Sequence, residues 1–342
     1  MLILLVNTPT EAQIETVMAR VREIGCKPHL IPGEHSIAIG ITGNSQALDP
    51  GIFTSLDGVS EAIPVTKPFK LASHDFKHAK TEIHVGSVTF GPKHFVVIAG
   101  PCAVESEEQT VRIAKAVKAA GANVLRGGAF KPRTSPYAFQ GLGLEGLKIL
   151  KTAREQTGLP VVTEAVDIQS LELVNEYADI IQLGARNMQN FSLLQAAGRL
   201  RKPVMLKRGL SATVDEWLMA AEYILNEGNE QVILCERGIR SFDNFTRNTV
   251  DIGAVIGLQL QSHLPIIVDP SHGTGRRQMV IPMGKAALAV GANGVMVDVH
   301  DRPKEALCDG PQAILPSEFS EMVATLRKMA PATGAHLVGG LG

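Results

Sequence analysis

The sequence predicts an eight-stranded (β/α)8 TIM barrel preceded by a small ferredoxin-like βαββαβ unit. Three observations carry this reading. The chain has 342 residues, which suits a barrel of about 250 residues plus an accessory unit. From about residue 94, eight short β-rich runs alternate with helical stretches, the count that closes a parallel barrel. Before them, the first 65 residues read strand, helix, strand, strand, helix, strand, the order of a split βαβ fold.

Taken in order, Met1 to Val6 is an apolar run that reads as a strand. Thr10 to Ile24 places Ile14, Val17, Val21 and Ile24 at spacings of three and four, one face of a helix. Gly25 marks its end. Lys27 to Ile31 and Ser36 to Thr42 are strands around the turn Pro32-Gly33. Gln46 to Leu56 is a weaker helix, interrupted by Pro50 and Gly51, and Val59 to Val65 closes the unit, residues 1–65. Residues 66–81 hold several Lys and His without periodicity and are expected to form a linker.

The catalytic barrel is then expected over residues 82–342, opened by a hairpin within Thr81 to Phe90. Its strands are expected at His94–Gly100, Asn123–Arg126, Pro160–Glu164, Asp179–Leu183, Pro203–Lys207, Gln231–Glu236, Pro265–Asp269 and Gly294–Val299. Runs such as Val96-Val97-Ile98 and Val232-Ile233-Leu234 are continuously apolar, as parallel strands buried on both faces must be.

Charge narrows the function classes. The 33 basic and 34 acidic residues nearly cancel, so no nucleic-acid partner is expected. The apolar N-terminal run is short, lacks a basic flank and meets Asn7 and Pro9, so no signal peptide is expected. No apolar stretch approaches about 18 residues, so no membrane span is expected. Cys26, Cys102, Cys235 and Cys308 form no Cys-x-x-Cys pair, which points to a reducing, cytoplasmic setting. The glycine-rich turns fit neither a Rossmann nor a P-loop pattern.

In such barrels reactive groups gather at the C-terminal ends of the strands. Cations stand at or just past four of these ends: Arg126 with Lys131 and Arg133, then Arg186, Lys207 and Arg237. Converging without partners they would repel, so a small ligand with several negative charges is implied, and Arg forks match phosphate or carboxylate best. This many cations suits two anion sites better than one. A second set, Cys102, His272, Asp298 and Asp309, combines a thiolate, an imidazole and carboxylates, as a borderline divalent metal prefers. Cys308, next to Asp309, competes for the thiolate role, whereas Cys235 inside a strand and Trp217 on a helix read as core.

Several longer motifs carry a resemblance. Gly100-Pro101-Cys102-Ala103-Val104-Glu105-Ser106, Leu125 to Ser135, Gly184-Ala185-Arg186-Asn187, Leu206-Lys207-Arg208-Gly209, Cys235-Glu236-Arg237-Gly238 and Val268-Asp269-Pro270-Ser271-His272 resemble, in order, the 3-deoxy-D-arabino-heptulosonate 7-phosphate (DAHP) synthases. The N-terminal unit resembles the ferredoxin-like regulatory extension of the type I beta subclass of that family.

The resemblance implies a metal-dependent condensation of phosphoenolpyruvate with erythrose 4-phosphate and water, the first step of the shikimate pathway. It implies phosphoenolpyruvate contacts from Arg126, Lys131, Glu164, Ala185, Arg186, Lys207 and Arg237. It gives Lys131, Pro132, Arg133, Thr134 and Ser135 to erythrose 4-phosphate, with Lys131 as proton donor to the aldehyde oxygen. Cys102, His272, Asp298 and Asp309 fall on the metal positions, with Mn²⁺ expected ahead of Fe²⁺, Co²⁺ or Zn²⁺. The family usually has Glu where this chain has Asp298, which leaves metal preference open. A homotetramer, and an aromatic amino acid effector held near the edge strands and His29 of the N-terminal unit, are also implied.

Three other readings compete. The sister octulosonate 8-phosphate synthases, which use arabinose 5-phosphate, have Ala-Asn where this chain has Pro132. A Schiff-base aldolase would use Lys207 and leave the metal set unexplained. A non-catalytic sensor on a barrel would not need the complete set of acid, cations and metal ligands.

Overall fold

A computed structural model describes residues 1–32, 37–44, 48–64 and 68–338 of the chain. It divides into two units, residues 1–79 with 261–263 and the remainder from Lys80. In the first, strands β1 (Leu2–Leu5), β2 (Lys27–Pro32), β3 (Ile37–Thr42) and β4 (Val59–Ile63) alternate with helices α1 (Glu11–Glu23) and α2 (Gly51–Thr54). The sheet order is β2-β3-β1-β4, antiparallel throughout, which is the ferredoxin-like topology. Helix α1 starts at a capping box in which Thr10 and Gln13 satisfy each other's backbone amides. It buries Val17 and Val21 against Ile3, Ile39, Ile41 and Phe53.

Two elements of this unit differ from expectation. The helix expected over Gln46–Leu56 is a single turn, α2, that begins only after Pro50. A proline biases the residue before it away from helical backbone, so the turn cannot extend backwards through Pro50; residues 45–47 lie outside the described residues. The segment expected as a linker buries Phe69, Leu71, Ala72 and Ser73. Its apolar positions lack helical or strand periodicity because they sit in turns. Gly33, Ser36 and Val65, assigned from sequence to a turn and two strand ends, lie outside the described residues.

In the second unit, β5 (Ile83–Val85) and β6 (Val88–Phe90) form the hairpin. The barrel strands follow as β7 (His94–Gly100), β8 (Val124–Arg126), β9 (Val161–Ala165), β10 (Ile180–Leu183), β11 (Val204–Lys207), β12 (Val232–Glu236), β13 (Ile266–Val268) and β14 (Gly294–Asp298). All neighbours are parallel, and β14 closes the barrel on β7, with Asp298 opposite Gly100. Pro160, Pro203 and Pro265, expected inside strands, stand one residue before β9, β11 and β13, because proline has no N–H to give the ladder. Ile83, Val85, Val88 and Phe90 of the hairpin join Val96, Ile98, Met205 and Met296 in the barrel core.

Helices α3 (Glu107–Ala120), α4 (Leu144–Thr157), α5 (Ile168–Tyr177), α6 (Phe191–Arg199), α7 (Val214–Asn226), α8 (Ile252–Gln261), α9 (Pro270–Thr274), α10 (Arg277–Ala289) and α11 (Pro316–Thr333) complete the unit. A last strand, β15 (His336–Leu337), pairs with the start of β7; two residues carry no periodicity from which to read it. No helix among the described residues is long and apolar enough to cross a membrane.

Candidate active site

Strand ends β7 and β8 converge because Gly100 permits it. A Cβ at Gly100 would lie 2.0 Å from the Arg126 carbonyl oxygen, so only glycine brings Cys102 and Arg126 side by side. After β10 the Glu164 carboxylate folds over Gly184, where a Cβ would lie 1.9 Å from Oε1 and push that side chain aside. These close approaches let the strand-end side chains reach a common cleft of about 290 Å³. Its lining includes all six cations expected from the sequence, Arg126, Lys131, Arg133, Arg186, Lys207 and Arg237, with Glu164, Ala185, Pro132, Thr134 and Ser135. His272 and Asp309 form one wall.

The cations are unequally matched. Arg126 donates to Asp298 and to the Pro101 carbonyl oxygen (3.2 Å). Lys207 donates to Asp269, and Arg133 to the Cys308 sulfur. Lys131 Nζ donates to Cys102 O (3.0 Å) and approaches Cys102 Sγ (3.1 Å). Arg237, by contrast, reaches only the Gly238 carbonyl oxygen at 3.5 Å, and Arg186 makes no ion pair among the described residues. Burial lowers the Arg237 guanidinium from its ordinary value, Asp269 opposes this, and Arg247 and Arg186 press it further down. Crowded, desolvated guanidinium groups of this kind are relieved by an anion between them.

Cys102 Sγ, His272 Nε2, one oxygen of Asp298 and one of Asp309 all lie within 4.8 Å of one another. Donors on opposite sides of a divalent ion sit about 4 to 4.6 Å apart, twice a bond of ~2.0–2.3 Å, so this set fits one ion. Cys102 Sγ is 3.3 Å from Asp309 Oδ2 and 3.8 Å from His272 Nε2. Asp269 Oδ2 is 2.8 Å from His272 Nδ1 and its Oδ1 accepts from the His272 amide at 2.9 Å. That contact turns Nε2 toward the cluster, as carboxylates behind metal-binding imidazoles do.

Protonation follows from the same contacts. Burial would lower His272, but Asp269 and Asp298 raise it to about 10. Burial would raise Asp309, but the hydrogen bond and charge of His272, with Arg247 and Lys131, hold its carboxyl well below the usual range. The hydrogen bond with Cys308, then burial, pushes the Cys102 thiol well up. The same hydrogen bond lowers Cys308 to about 7. These shifts favour the proton on Cys102 over Cys308, whose sulfur is 3.6 Å away; a divalent ion held by the cluster would favour the Cys102 thiolate instead.

Sequence reasoning missed three contributors. Arg247 is a seventh cation of the cleft, from the long segment between β12 and α8, and donates to Asp309 Oδ1 at 3.2 Å. Gln182 lies under Glu164, donating to it at 3.2 Å. Gln312 donates to Asp298 Oδ2 at 2.6 Å. Only Gln182, on β10 one residue before its end, carried a positional signal. Arg208 points away to Glu236 (2.9 Å) and Asp251 (3.1 Å), and His300 to Gln109 (2.9 Å) and Glu105 (3.4 Å). Arg208 directly follows Lys207, and alternation along the strand sends it to the opposite face.

Residues 72–334 match the DAHP synthetase I family, and residues 1–67 match the DAHP synthase ferredoxin-like domain. A phospho-2-dehydro-3-deoxyheptonate aldolase of Thermotoga maritima is 48% identical over 98% of this chain and 100% of its own length. A crystal structure of the DAHP synthase from the same organism covers 98% of each chain with a TM-score of 0.79. A truncated form of the Thermotoga maritima synthase covers 78% of this chain and 98% of its own, with a TM-score of 0.74 and 49% identity. A 2-dehydro-3-deoxyphosphooctonate aldolase of Syntrophotalea carbinolica is 35% identical over 72% of this chain.

Proposed function

Since the chain belongs to the DAHP synthetase I family, we propose how its cleft divides the work of the reaction. The activity is that of a DAHP synthase: phosphoenolpyruvate, erythrose 4-phosphate and water give 3-deoxy-D-arabino-heptulosonate 7-phosphate and phosphate. The octulosonate-forming relatives are more distant and match 70–72% of the chain. The observation that carries the proposal is a cleft lined by seven cations beside a four-donor metal set.

Arg186 and Arg237, which contact neither a carboxylate nor a cysteine sulfur among the described residues, hold the phosphate of phosphoenolpyruvate, with Arg126, Lys207, Glu164 and Ala185 around the rest of the molecule. Arg133, Thr134 and Ser135, with Pro132, hold erythrose 4-phosphate. The two anions repel in water; clamped between these cations they are brought together, and the orientation lowers the barrier. Lys131 is buried between the two groups of residues. Burial opposes its charge, but Cys102 and Cys308 raise the ammonium above its ordinary value. It is therefore a charged donor for the oxygen that becomes an alkoxide as the new carbon–carbon bond forms. Cys102, His272, Asp298 and Asp309 would hold a divalent ion, Mn²⁺ foremost, that acts as a Lewis acid on the aldehyde. The family is metal-dependent in general, and this donor set suits it.

The partition has a direct test. Arg133→Ala is expected to raise KM for erythrose 4-phosphate by about tenfold or more, and Arg237→Ala to raise KM for phosphoenolpyruvate similarly, each losing a charge-assisted contact of about 1.5–3 kcal/mol. Steady-state constants for both substrates decide it. Equal damage to the same substrate in both variants contradicts the division.

Among the described residues, the cleft lining includes none from the ferredoxin-like unit. We assign it to regulation by an aromatic amino acid in a cytoplasmic homotetramer. His29 lies on the edge strand β2, its Nε2 2.8 Å from Thr42 Oγ1 and its ring 6.0 Å from that of Phe76. Tyrosine or phenylalanine is expected to inhibit the full-length enzyme, and a chain beginning near residue 70 to be active and insensitive, since the effector must favour one of two arrangements to act. Rate and mass are measured together. A full-length enzyme indifferent to Tyr, Phe and Trp at about millimolar concentration leaves assembly as the unit's only role.

A further inference from the structure

Gln312 has no chemical reason, on composition alone, to be buried at the mouth of a barrel, yet it is 2% exposed. It ends the 3₁₀ turn Gly310–Gln312, whose preceding residue is Asp309. Asp309 has φ 54°, a left-handed conformation rare outside glycine, and its carbonyl oxygen accepts from the Gln312 amide at 3.2 Å. Such strain persists only where the surroundings impose it, commonly at functional sites. Here it mounts a metal-set carboxylate and a buried amide on one turn.

The amide is engaged at both ends. Nε2 donates to Asp298 Oδ2 at 2.6 Å, and Oε1 accepts from Arg247 at 3.0 Å. Arg247 in turn donates to Asp309 Oδ1 at 3.2 Å. A carboxylate only accepts and a guanidinium only donates, so the amide has one workable orientation. We propose that Gln312 is a positioning residue for the metal set, aligning Asp298 directly and Asp309 through Arg247. The proposal rests on reading Cys102, His272, Asp298 and Asp309 as that set.

The geometry gives this bridge a particular task in this chain. Asp298 has a short side chain and both of its oxygens are held, Oδ1 by Arg126 and Oδ2 by Gln312. Oδ2 is also the oxygen facing His272 Nε2, 3.7 Å away. A carboxylate oxygen accepts about two partners, so Gln312 fixes one lone pair of Oδ2 and leaves the other toward the cluster. Without it, Asp298 is free to turn further toward Arg126 and away from an ion. The neutral amide does this without adding charge to a site that already holds two carboxylates.

Gln312→Met keeps the length and approximate volume of the side chain and removes both hydrogen bonds. In the full-length protein its affinity for Mn²⁺, measured by competition with a chromophoric chelator, is expected to fall by about ten- to a hundredfold. Activity is expected to return as Mn²⁺ is raised, since all four ligands remain. Gln312→Asn, whose amide spans only one partner, carries the same measurement if the methionine variant does not fold. A folded variant that binds Mn²⁺ within about twofold of the parent overturns the role of Gln312 alone. A parent that takes up no Mn²⁺ overturns the metal reading and this proposal with it.

Discussion

Cys102→Ala is expected to lose bound metal and turnover together, with kcat/KM down about a thousandfold or more, the equivalent of about 4 kcal/mol of transition-state stabilisation. The sulfur is the soft member of the four-donor set and lies within 3.8 Å of His272 and 3.3 Å of Asp309. Cys308→Ala serves as the control: its sulfur contacts Cys102 and Arg133 but lies outside the donor set, so metal content is expected to hold. The parent's uptake carries a pH signature. His272 is raised to about 10 and Cys102 well above its ordinary value, so both are protonated near neutrality and an ion must displace those protons. Affinity therefore rises with pH. Below about pH 7 up to two protons leave per ion; above it the release is smaller, because the Cys308 thiolate, at about 7, takes up the proton that Cys102 gives. Asp309 is already ionised and contributes none. Isothermal titration in buffers of different ionisation enthalpy counts the protons. Full activity in chelator-treated Cys102→Ala, or uptake independent of pH between about 6 and 8, would sink the assignment.

The second large effect is expected from Arg126→Ala. The guanidinium is 4% exposed and pairs with the fully buried Asp298. Burial opposes its charge, but Asp298, Cys102 and Asp269 together more than compensate, so the group is raised above its ordinary value. Removing one partner of such a pair strands the other, at about 3–5 kcal/mol. The metal-free variant is therefore expected to melt well below the parent, and KM for phosphoenolpyruvate to rise steeply. Mn²⁺ is expected to recover part of the lost stability, because the ion returns positive charge to Asp298. Thermal melts of parent and variant, with and without Mn²⁺, separate the effects. A variant that melts with the parent and keeps its KM shows that the pair carries neither function.

The barrel was legible because its strands are apolar on both faces and end in chemistry. Proline without an N–H explains why three strands start one residue late, at Val161, Val204 and Ile266. All six cations and all four metal-set residues read from the sequence meet in space, and each but Asp309 lies at or shortly after a strand end. Arg247 and Gln312 escaped for the opposite reason. They come from long irregular segments where position along the chain says little about position in space. The short α2 was foreshadowed by Pro50, and the buried turn of Phe69 to Ser73 has no period to detect.

One feature of the small sheet bears on how the protein behaves when concentrated. Closure of β14 on β7 leaves the barrel ring without a free edge, but the four-stranded sheet ends in β2 and β4. Strand β2 reads Lys-Pro-His-Leu-Ile-Pro. Proline survives in a paired strand where its nitrogen faces away from the ladder, so Pro28, Leu30 and Pro32, at alternate positions, face their backbone outward together. Of those three outward positions only Leu30 offers an N–H. A stray strand arriving at this edge finds two missing donors and a lysine, the devices by which natural sheets resist fibril-like stacking. Strand β4, Val59–Ile63, contains no proline. Misassembly during overexpression would therefore begin on β4, and a lysine placed there is the change that solubility engineering would try first.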